Sequence, residues 1–381
     1  LKLPVLARGK KKEDGSPGSP STAEAVMTKL VDHHPAVSLL LERAKWEKYS
    51  SAFFSAYAEQ LDDDDRLHTT FKLTGTVTGR LSSGKIDQEK ITGVRQIRGF
   101  NAQQAPRDPF VRGIFGAPPG WSWVSADYSQ IELRIAAFLS QESTMLHLYA
   151  TGQDIHMATA MRMTGKPARL VTREQRKKAK AVNFGFLYAM GWARFITTAW
   201  ANYGLVVTES EAQAFRRTFF EQFPGLLPWH ARQRRLAHRY GRVVSPIGRV
   251  RHLPDIESAD REVRAEAERQ AINSPVQGFA SDMALLSMNL IADEFDQRGL
   301  SAAPVGTVHD EINFEIPDDE LAVALPIIKD KMENLPLKKW FNVDLNVPII
   351  ADLKIGDRWG GATEITADQV YEFPGKELIC V

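Results

Sequence analysis

One stretch constrains this chain more than any other: Trp121-Ser-Trp-Val-Ser-Ala-Asp127-Tyr-Ser-Gln-Ile-Glu132-Leu-Arg134. A β-rich apolar run ends on one acidic residue, and a helical pattern begins at once, with Ile131, Ile135, Phe138 and Leu139 on one face. That order puts Asp127 at the open end of a strand, where a sheet can offer a carboxylate to a ligand. A plainer reading has equal standing: Asp127 caps the helix, and Gln130 three residues on completes a capping-box-like pair. A second carboxylate and something anionic to bind would decide between them.

Two further segments supply candidates. Thr172-Arg-Glu-Gln175 is a capping-box pattern, so a helix is expected from about Arg173 to Tyr188. Along it Arg176, Lys180, Phe184 and Tyr188 recur every four residues, a gently winding stripe about 18 Å long. Two cations followed by two rings make an awkward core stripe but a natural ligand stripe: cations for phosphates, rings for sugar and base. In the second segment, residues 305–316, Ile312, Phe314 and Ile316 alternate with Asn313 and Glu315 as in a half-buried strand. His309, Asp310 and Glu311 then fall at a tight hairpin turn, which, standing alone, an ordinary Asp-containing turn would explain better.

The remaining pattern is mostly scaffold. A helix is expected to open at Ser21–Glu24 and a longer one to cover residues 35–60, while Asp62–Asp65 reads as a loop tip. Residues 69–81 look β-like, Tyr240–Leu253 reads as a hairpin, and residues 207–238 are helical around Phe223-Pro-Gly. A long charged helix over 258–273 is expected to be interrupted by Pro275 before a more apolar helix from 278 to 297. A helix and a β-rich tail follow.

At 381 residues the chain should form more than one domain or subdomain, and 43% hydrophobic with 25% charged residues favours neither disorder nor a membrane class. The net charge of +1 gives no global sign of nucleic-acid binding, although a cleft can be basic locally. Residues 9–22 form a basic Gly/Pro/Ser-rich loop, either a solvated linker or a phosphate contact. The lone cysteine, Cys380, allows no intramolecular disulfide and fits a reducing compartment, cytoplasmic or organellar, rather than secretion.

A strand-end aspartate, a hairpin aspartate and a cationic stripe are the parts that metal-dependent phosphoryl transfer needs. The chain resembles the polymerase domain of family A DNA polymerases, from about residue 15 to 360. Asp127 to Arg134 is similar to that family's first catalytic motif, Arg176-x3-Lys180-x3-Phe184-x3-Tyr188 to its nucleotide-binding helix, and Val308-His-Asp-Glu311 to its third motif. Thr78 to Ser83, Asn101 to Pro106, and Arg269-x3-Asn273-x3-Gln277 resemble its DNA-contacting elements.

The resemblance implies an α+β right-hand fold with an antiparallel palm sheet, mostly helical fingers and a partial helical thumb. The thumb would cover residues 1–66, the palm 67–149 and 266–381, and the fingers 150–265. Asp127 and Asp310 would hold two Mg2+ ions, replaceable by Mn2+, with the Tyr128 carbonyl as a further ligand and Glu311 close by. Arg176, Lys180 and His156 would grip the triphosphate, with Lys180 a proton donor to pyrophosphate. Phe184 would pack on the sugar, Tyr188 beside the nascent pair, and Gln130 beside the nucleotide. Glu132 would fill the space of a ribose 2′-hydroxyl. Arg80, Asn101, Gln104, Arg269, Asn273, Gln277 and His309 would touch the primer-template. The partners implied are DNA primer-template and deoxynucleoside triphosphates, with the chain a monomer off the membrane and without a proofreading exonuclease.

Ala189 stands where the family usually has glycine, Gln104 replaces a usual asparagine, and much of the ascending thumb is missing upstream. The competing readings are a single-subunit RNA polymerase, which Glu132 disfavours, a DNA-binding fragment without catalysis, and a nuclease, which would leave the Arg176–Tyr188 stripe without a task.

Overall fold

In the computed structural model, residues 3–9, 16–84, 101–373 and 375 are described. Cys380, the Lys10–Gly15 part of the basic loop and the approach to Asn101 over 97–100 lie outside them. The chain divides into two compact units, Leu1–Thr70 with Gly84–Phe100, and Phe71–Ser83 with Asn101–Val381.

The larger unit is built on the alternation of apolar and polar residues noted above. Its sheet has five antiparallel strands in the spatial order Ala303–Val308, Glu311–Pro317, Trp121–Tyr128, Ala351–Gly356 and Thr363–Ile365. The register sets Val124 against Phe314 and Ile355, and Ala126 against Ile312 and Leu353. All six are buried. The side-chain period of two makes that face apolar and the opposite one polar, with Ser125, Asn313, Asp127, Glu311, Asp352 and Lys354 in register. Burial of Ile312 and Phe314, each worth roughly 1.5–3 kcal/mol, fixes which face is which.

The apolar face packs on helices Arg261–Arg298 and Leu321–Glu333, with the Phe295 and Phe314 rings 6.3 Å apart. Pro275 does not interrupt the first of these: one 38-residue helix runs through it, capped by Asp260 and ended by Gly299. Proline removes one backbone hydrogen bond, a cost of about 3 kcal/mol. Buried Ile272, Val276 and Phe279 around it offset that loss.

A layer of helices (Ile155–Thr164, Arg173–Leu187, Trp192–Tyr203, Glu209–Gln222, Leu226–Tyr240) packs around Phe186, Phe195, Phe219, Phe223 and Trp229. Gly185 permits a close approach, since a Cβ there would lie 2.7 Å from Phe195 Cδ2. The expected hairpin is present as strands Arg242–Val244 and Val250–His252.

The smaller unit is helical. Ala36–Tyr49 continues through a π turn, Ser50–Ser55, into Ala56–Ala58, with rings Trp46, Tyr49, Phe53 and Tyr57 edge to edge along it. Met27, Leu30 and Val37 form its core. The first helix starts at Glu24, but Ala23 occupies its cap position without a side-chain bond, so neither Ser21 nor Thr22 caps it. The β-like stretch at 69–81 is strand only over Thr70–Lys72, pairing with Ser82–Gly84; Gly75 and Gly79 fall in the turns between.

Candidate active site

Asp127 lies one residue from the end of the central strand, opposite Glu311 on one side and Asp352 on the other. It does not cap the following helix. Gln130 holds that position in a left-handed conformation (φ 55°) with no side-chain cap bond, and its amide oxygen accepts from the Tyr149 hydroxyl at 3.2 Å. Asp310 sits in a two-residue turn behind His309, whose φ is 60°. The Tyr128 N–H donates to the Asp310 carbonyl at 3.4 Å, which joins the turn to the strand carrying Asp127. The two aspartates therefore share one end of the polar sheet face.

Acidic groups crowd this end of the face. Burial first, then the Asp310 and Glu311 charges, push the Asp127 carboxyl up to about 7, against the pull of Arg107 and Lys354. A bound cation would reverse that, because it supplies the missing counter-charge. Among the described residues no group of three or more His, Cys, Asp or Glu side chains is arranged to hold a metal. Two carboxylates plus a backbone carbonyl, with water and substrate oxygens completing the shell, suit magnesium.

Glu311 is already committed. Trp359 Nε1 donates to its Oε1 at 2.6 Å and Arg112 Nη1 lies 3.3 Å from Oε2, while the Arg112 guanidinium sits 4.1 Å from the Trp359 ring centre. Arg80 bridges Asp310 and Glu132: Nη2 lies 2.7 Å from Glu132 Oε1 and 3.6 Å from Asp310 Oδ1. The Tyr188 hydroxyl donates to Glu132 Oε2 in a very short contact. Burial raises the Glu132 carboxyl, and Arg80 and Tyr188 partly pull it back.

The Arg173–Leu187 helix begins at the Thr172–Gln175 capping box read from the sequence. Lys180 is exposed, and Phe184 and Tyr188 are half-buried. Arg176 Nε donates to Asp154 Oδ2 at 2.6 Å, and Asp154 also caps the helix that carries His156. His156 is buried, with Asn183 donating to its Nδ1 at 2.9 Å, and burial pushes its pKa down to about 4. It is a neutral imidazole packed on Phe184 rather than a cation. Ala189 follows Tyr188 at φ 57°.

The residues singled out for nucleic acid are spread along this surface. Arg269 pairs with Glu266 at 2.5 Å, Asn273 and Gln277 follow on the same helix face, and Asn273 Oδ1 has no hydrogen-bond partner among the described residues. Gln104 is exposed. The Asn101 side chain accepts from Ser83 Oγ at 2.9 Å and from the Gln103 N–H at 3.1 Å.

A family model described as DNA polymerase family A matches residues 1–361. The chain belongs to DNA polymerase family A. It is 33% identical over 365 residues to the thermostable DNA polymerase I of Thermus aquaticus, covering 96% of this chain and 40% of that protein. It is also 33% identical to DNA polymerase I of Pseudomonas aeruginosa (95% and 37%) and 31% identical to the DNA polymerase of Bacillus phage SP01 (93% and 38%). The chain thus spans about two fifths of the length of these curated relatives. Among solved structures, the POL domain of Pol1 from M. smegmatis, in complex with DNA primer-template and dNTP, aligns with a TM-score of 0.78 at 28% identity, over 95% of this chain and 59% of that one.

Several residues shaping this family A site carry no local sequence signal. Gln103 pins the Asp310 turn: its Nε2 donates to the Thr307 carbonyl at 2.8 Å and its Oε1 accepts from the His309 N–H at 3.1 Å. Arg112, 199 residues before Glu311, and Trp359, 48 residues after it, hold its carboxylate. His230 is buried, and its Nε2 donates to the Leu187 carbonyl at 2.7 Å, fixing the last turn of the helix that ends at Tyr188.

Proposed function

We propose that the chain is a template-directed DNA polymerase that extends a primer 3′-hydroxyl with deoxynucleotides and releases pyrophosphate. What carries the reading is the unbroken chain of contacts Asp310–Arg80–Glu132–Tyr188, which joins the paired aspartates to the nucleotide helix. The relatives named DNA polymerase I, and the Pol1 domain solved with primer-template and dNTP, support it.

In this reading residues 1–66 are thumb, 67–149 and 266–381 palm, and 150–265 fingers. Asp127, Asp310 and the Tyr128 carbonyl would hold two Mg2+ ions, whose chemistry is to lower the pKa of the attacking hydroxyl and neutralise the departing pyrophosphate. The bond formed joins the primer 3′-oxygen to the α-phosphorus, and the α–β phosphoanhydride breaks. Lys180 and Arg176 face the triphosphate, Arg176 exchanging its Asp154 partner for phosphate. Lys180 gives a proton to the pyrophosphate oxygen. Phe184 packs on the sugar, with His156 behind its ring. Glu132, held between Arg80 and Tyr188, occupies the 2′ side of the sugar and favours deoxynucleotides over ribonucleotides. Arg80, Asn101, Gln104, Arg269, Asn273, Gln277 and His309 line the duplex, touching features shared by all base pairs.

Primer extension with a template, four deoxynucleotides and Mg2+ tests this, with Asp127→Ala as control. The wild type should extend, and Asp127→Ala should bind the duplex without extending it. Equal extension by both would overturn the assignment.

A further inference from the structure

We propose that the outer face of the Leu226–Tyr240 helix is a second nucleic-acid contact, a track for the unpaired 5′ extension of the template strand. The helix reads Leu-Leu-Pro-Trp-His-Ala-Arg-Gln-Arg-Arg-Leu-Ala-His-Arg-Tyr, with no acidic residue in its 15 positions. Its basic side chains fall into two sets. Arg234 and His238, four apart, turn toward acids of neighbouring segments: Arg234 Nε lies 3.5 Å from Glu268, and His238 lies 2.7 Å from Glu257 and 3.3 Å from Glu268.

Arg232, Arg235 and Arg239, at i, i+3 and i+7, share a different face. All three are exposed. Arg232 donates to the Leu139 carbonyl at 3.0 Å, and among the described residues no carboxylate pairs with Arg235 or Arg239. Like charges three and four residues apart disfavour a helix, and no ion pair among the described residues compensates these two.

Beside this stripe stand exposed Leu236 and Tyr240, with the Arg239 guanidinium 5.1 Å from the Tyr240 ring centre. A row of cations edged by an exposed ring suits single-stranded nucleic acid, which offers phosphates at intervals and a π-face on every base. From Arg232 to Arg239 the row runs about 10 Å, the reach of roughly three phosphates at 3.4 Å rise in a stacked strand.

Position selects the strand. His230, two residues before Arg232 but on the opposite, buried side of the helix, bonds the Leu187 carbonyl immediately ahead of Tyr188, so the helix that carries the row on its outer face braces the end of the nucleotide helix with its inner one. With Tyr188 beside the nascent pair, the strand emerging there is template not yet copied. The inference rests on the polymerase reading only for this direction.

The test measures binding of the whole chain to primer-templates, by fluorescence anisotropy without nucleotides, over a salt series. One duplex has a single unpaired template nucleotide and the other about twelve, within the footprint of a single-strand site. The Arg235→Gln/Arg239→Gln double variant should lose about tenfold in affinity for the long overhang, with the salt slope lower by about 1.4. Its affinity for the short overhang should stay within about twofold. Tyr240→Ala should weaken only long-overhang binding, and Arg216→Gln/Arg217→Gln, removing two other arginines of the helical layer, should change neither. Unchanged binding of the first double variant would make the row a solvated face, and equal loss on both duplexes a general duplex contact. Equal loss in the Arg216/Arg217 control would mean non-specific charge, and a loss seen only with a displaced 5′ flap would assign the row to the other strand. Each of those results overturns the proposal. A chain that binds overhangs in this pattern but never extends a primer would sink the polymerase reading and leave the track standing.

Discussion

Ala189 shows how one side chain can strain a working part. Its φ of 57° is a left-handed conformation that costs a residue with a Cβ about 1–2 kcal/mol, and it sits directly behind Tyr188. Ala189→Gly should therefore raise stability by about 1 kcal/mol, less what glycine loses in unfolded-state entropy. Urea denaturation with an unchanged m-value would show it, and a less stable variant would mean the strain is already relieved elsewhere. Glu132 is the other residue with a separable job. Its carboxylate is fixed on two sides, by Arg80 and Tyr188, and among the described contacts it touches neither aspartate, so Glu132→Ala opens space beside Tyr188. Ribonucleotide incorporation should then rise at least about tenfold relative to deoxynucleotides. A competition assay giving the wild-type ratio would remove Glu132 from sugar selection.

Among elements, the helix ending at Leu187 is tied down most unusually, by an imidazole from another helix. His230 is buried as a neutral ring, and burial pushes its pKa from 6.5 down to about 4. The unfolded chain takes up this proton below about pH 6.5, but the folded chain does so only near pH 4. Stability is thus unaffected above 6.5 and falls as pH drops through that window, by up to about 3 kcal/mol. His230→Met should flatten part of the fall between pH 6.5 and 4.5 in urea titrations, the rest belonging to His156 and other groups. An identical pH profile would show that the ring titrates freely. Legibility in the sequence follows the same line between local and distant partners. The Thr172–Gln175 capping box and the Ile312-Phe314-Ile316 alternation were readable because both partners lie within a few residues. Pro275 misled for the mirror reason: the local rule breaks a helix there, whereas burial of Ile272, Val276 and Phe279 carries it through.

At the scale of the molecule, single strands such as Ile312–Ile316 were legible from periodicity, whereas the antiparallel sheet as a whole and the pairing of the two aspartates came only with the family resemblance. The supports of this site were not legible in either way. Glu311 is held by Arg112 and Trp359, far away in sequence on opposite sides, and no pattern near any of the three announces the others. The chain divides into two units, the smaller with its own core of Met27, Leu30 and Val37 while the main core lies wholly in the larger. The sequence suggests more than one subdomain, but the return of Gly84–Phe100 to the smaller unit has no local signal. A chain shortened to residues 71–381 should accordingly keep a cooperative thermal transition and the near-UV signature of its buried aromatics. Loss of both would show that the larger unit cannot stand alone.

The pairing of Asp127 with Glu311 and Asp352 also sets an arithmetic of tolerated change. Because a strand alternates faces residue by residue, position along it is a matter of odd and even. Deleting one residue between Ile312 and Ile316, such as Phe314, would send Glu315 toward the apolar helices and turn Ile316 onto the polar face. Deleting two would shorten the strand and preserve the faces. Gene variants with paired losses in this sheet should therefore survive selection where single losses do not, a reading-frame rule written in protein rather than in codons.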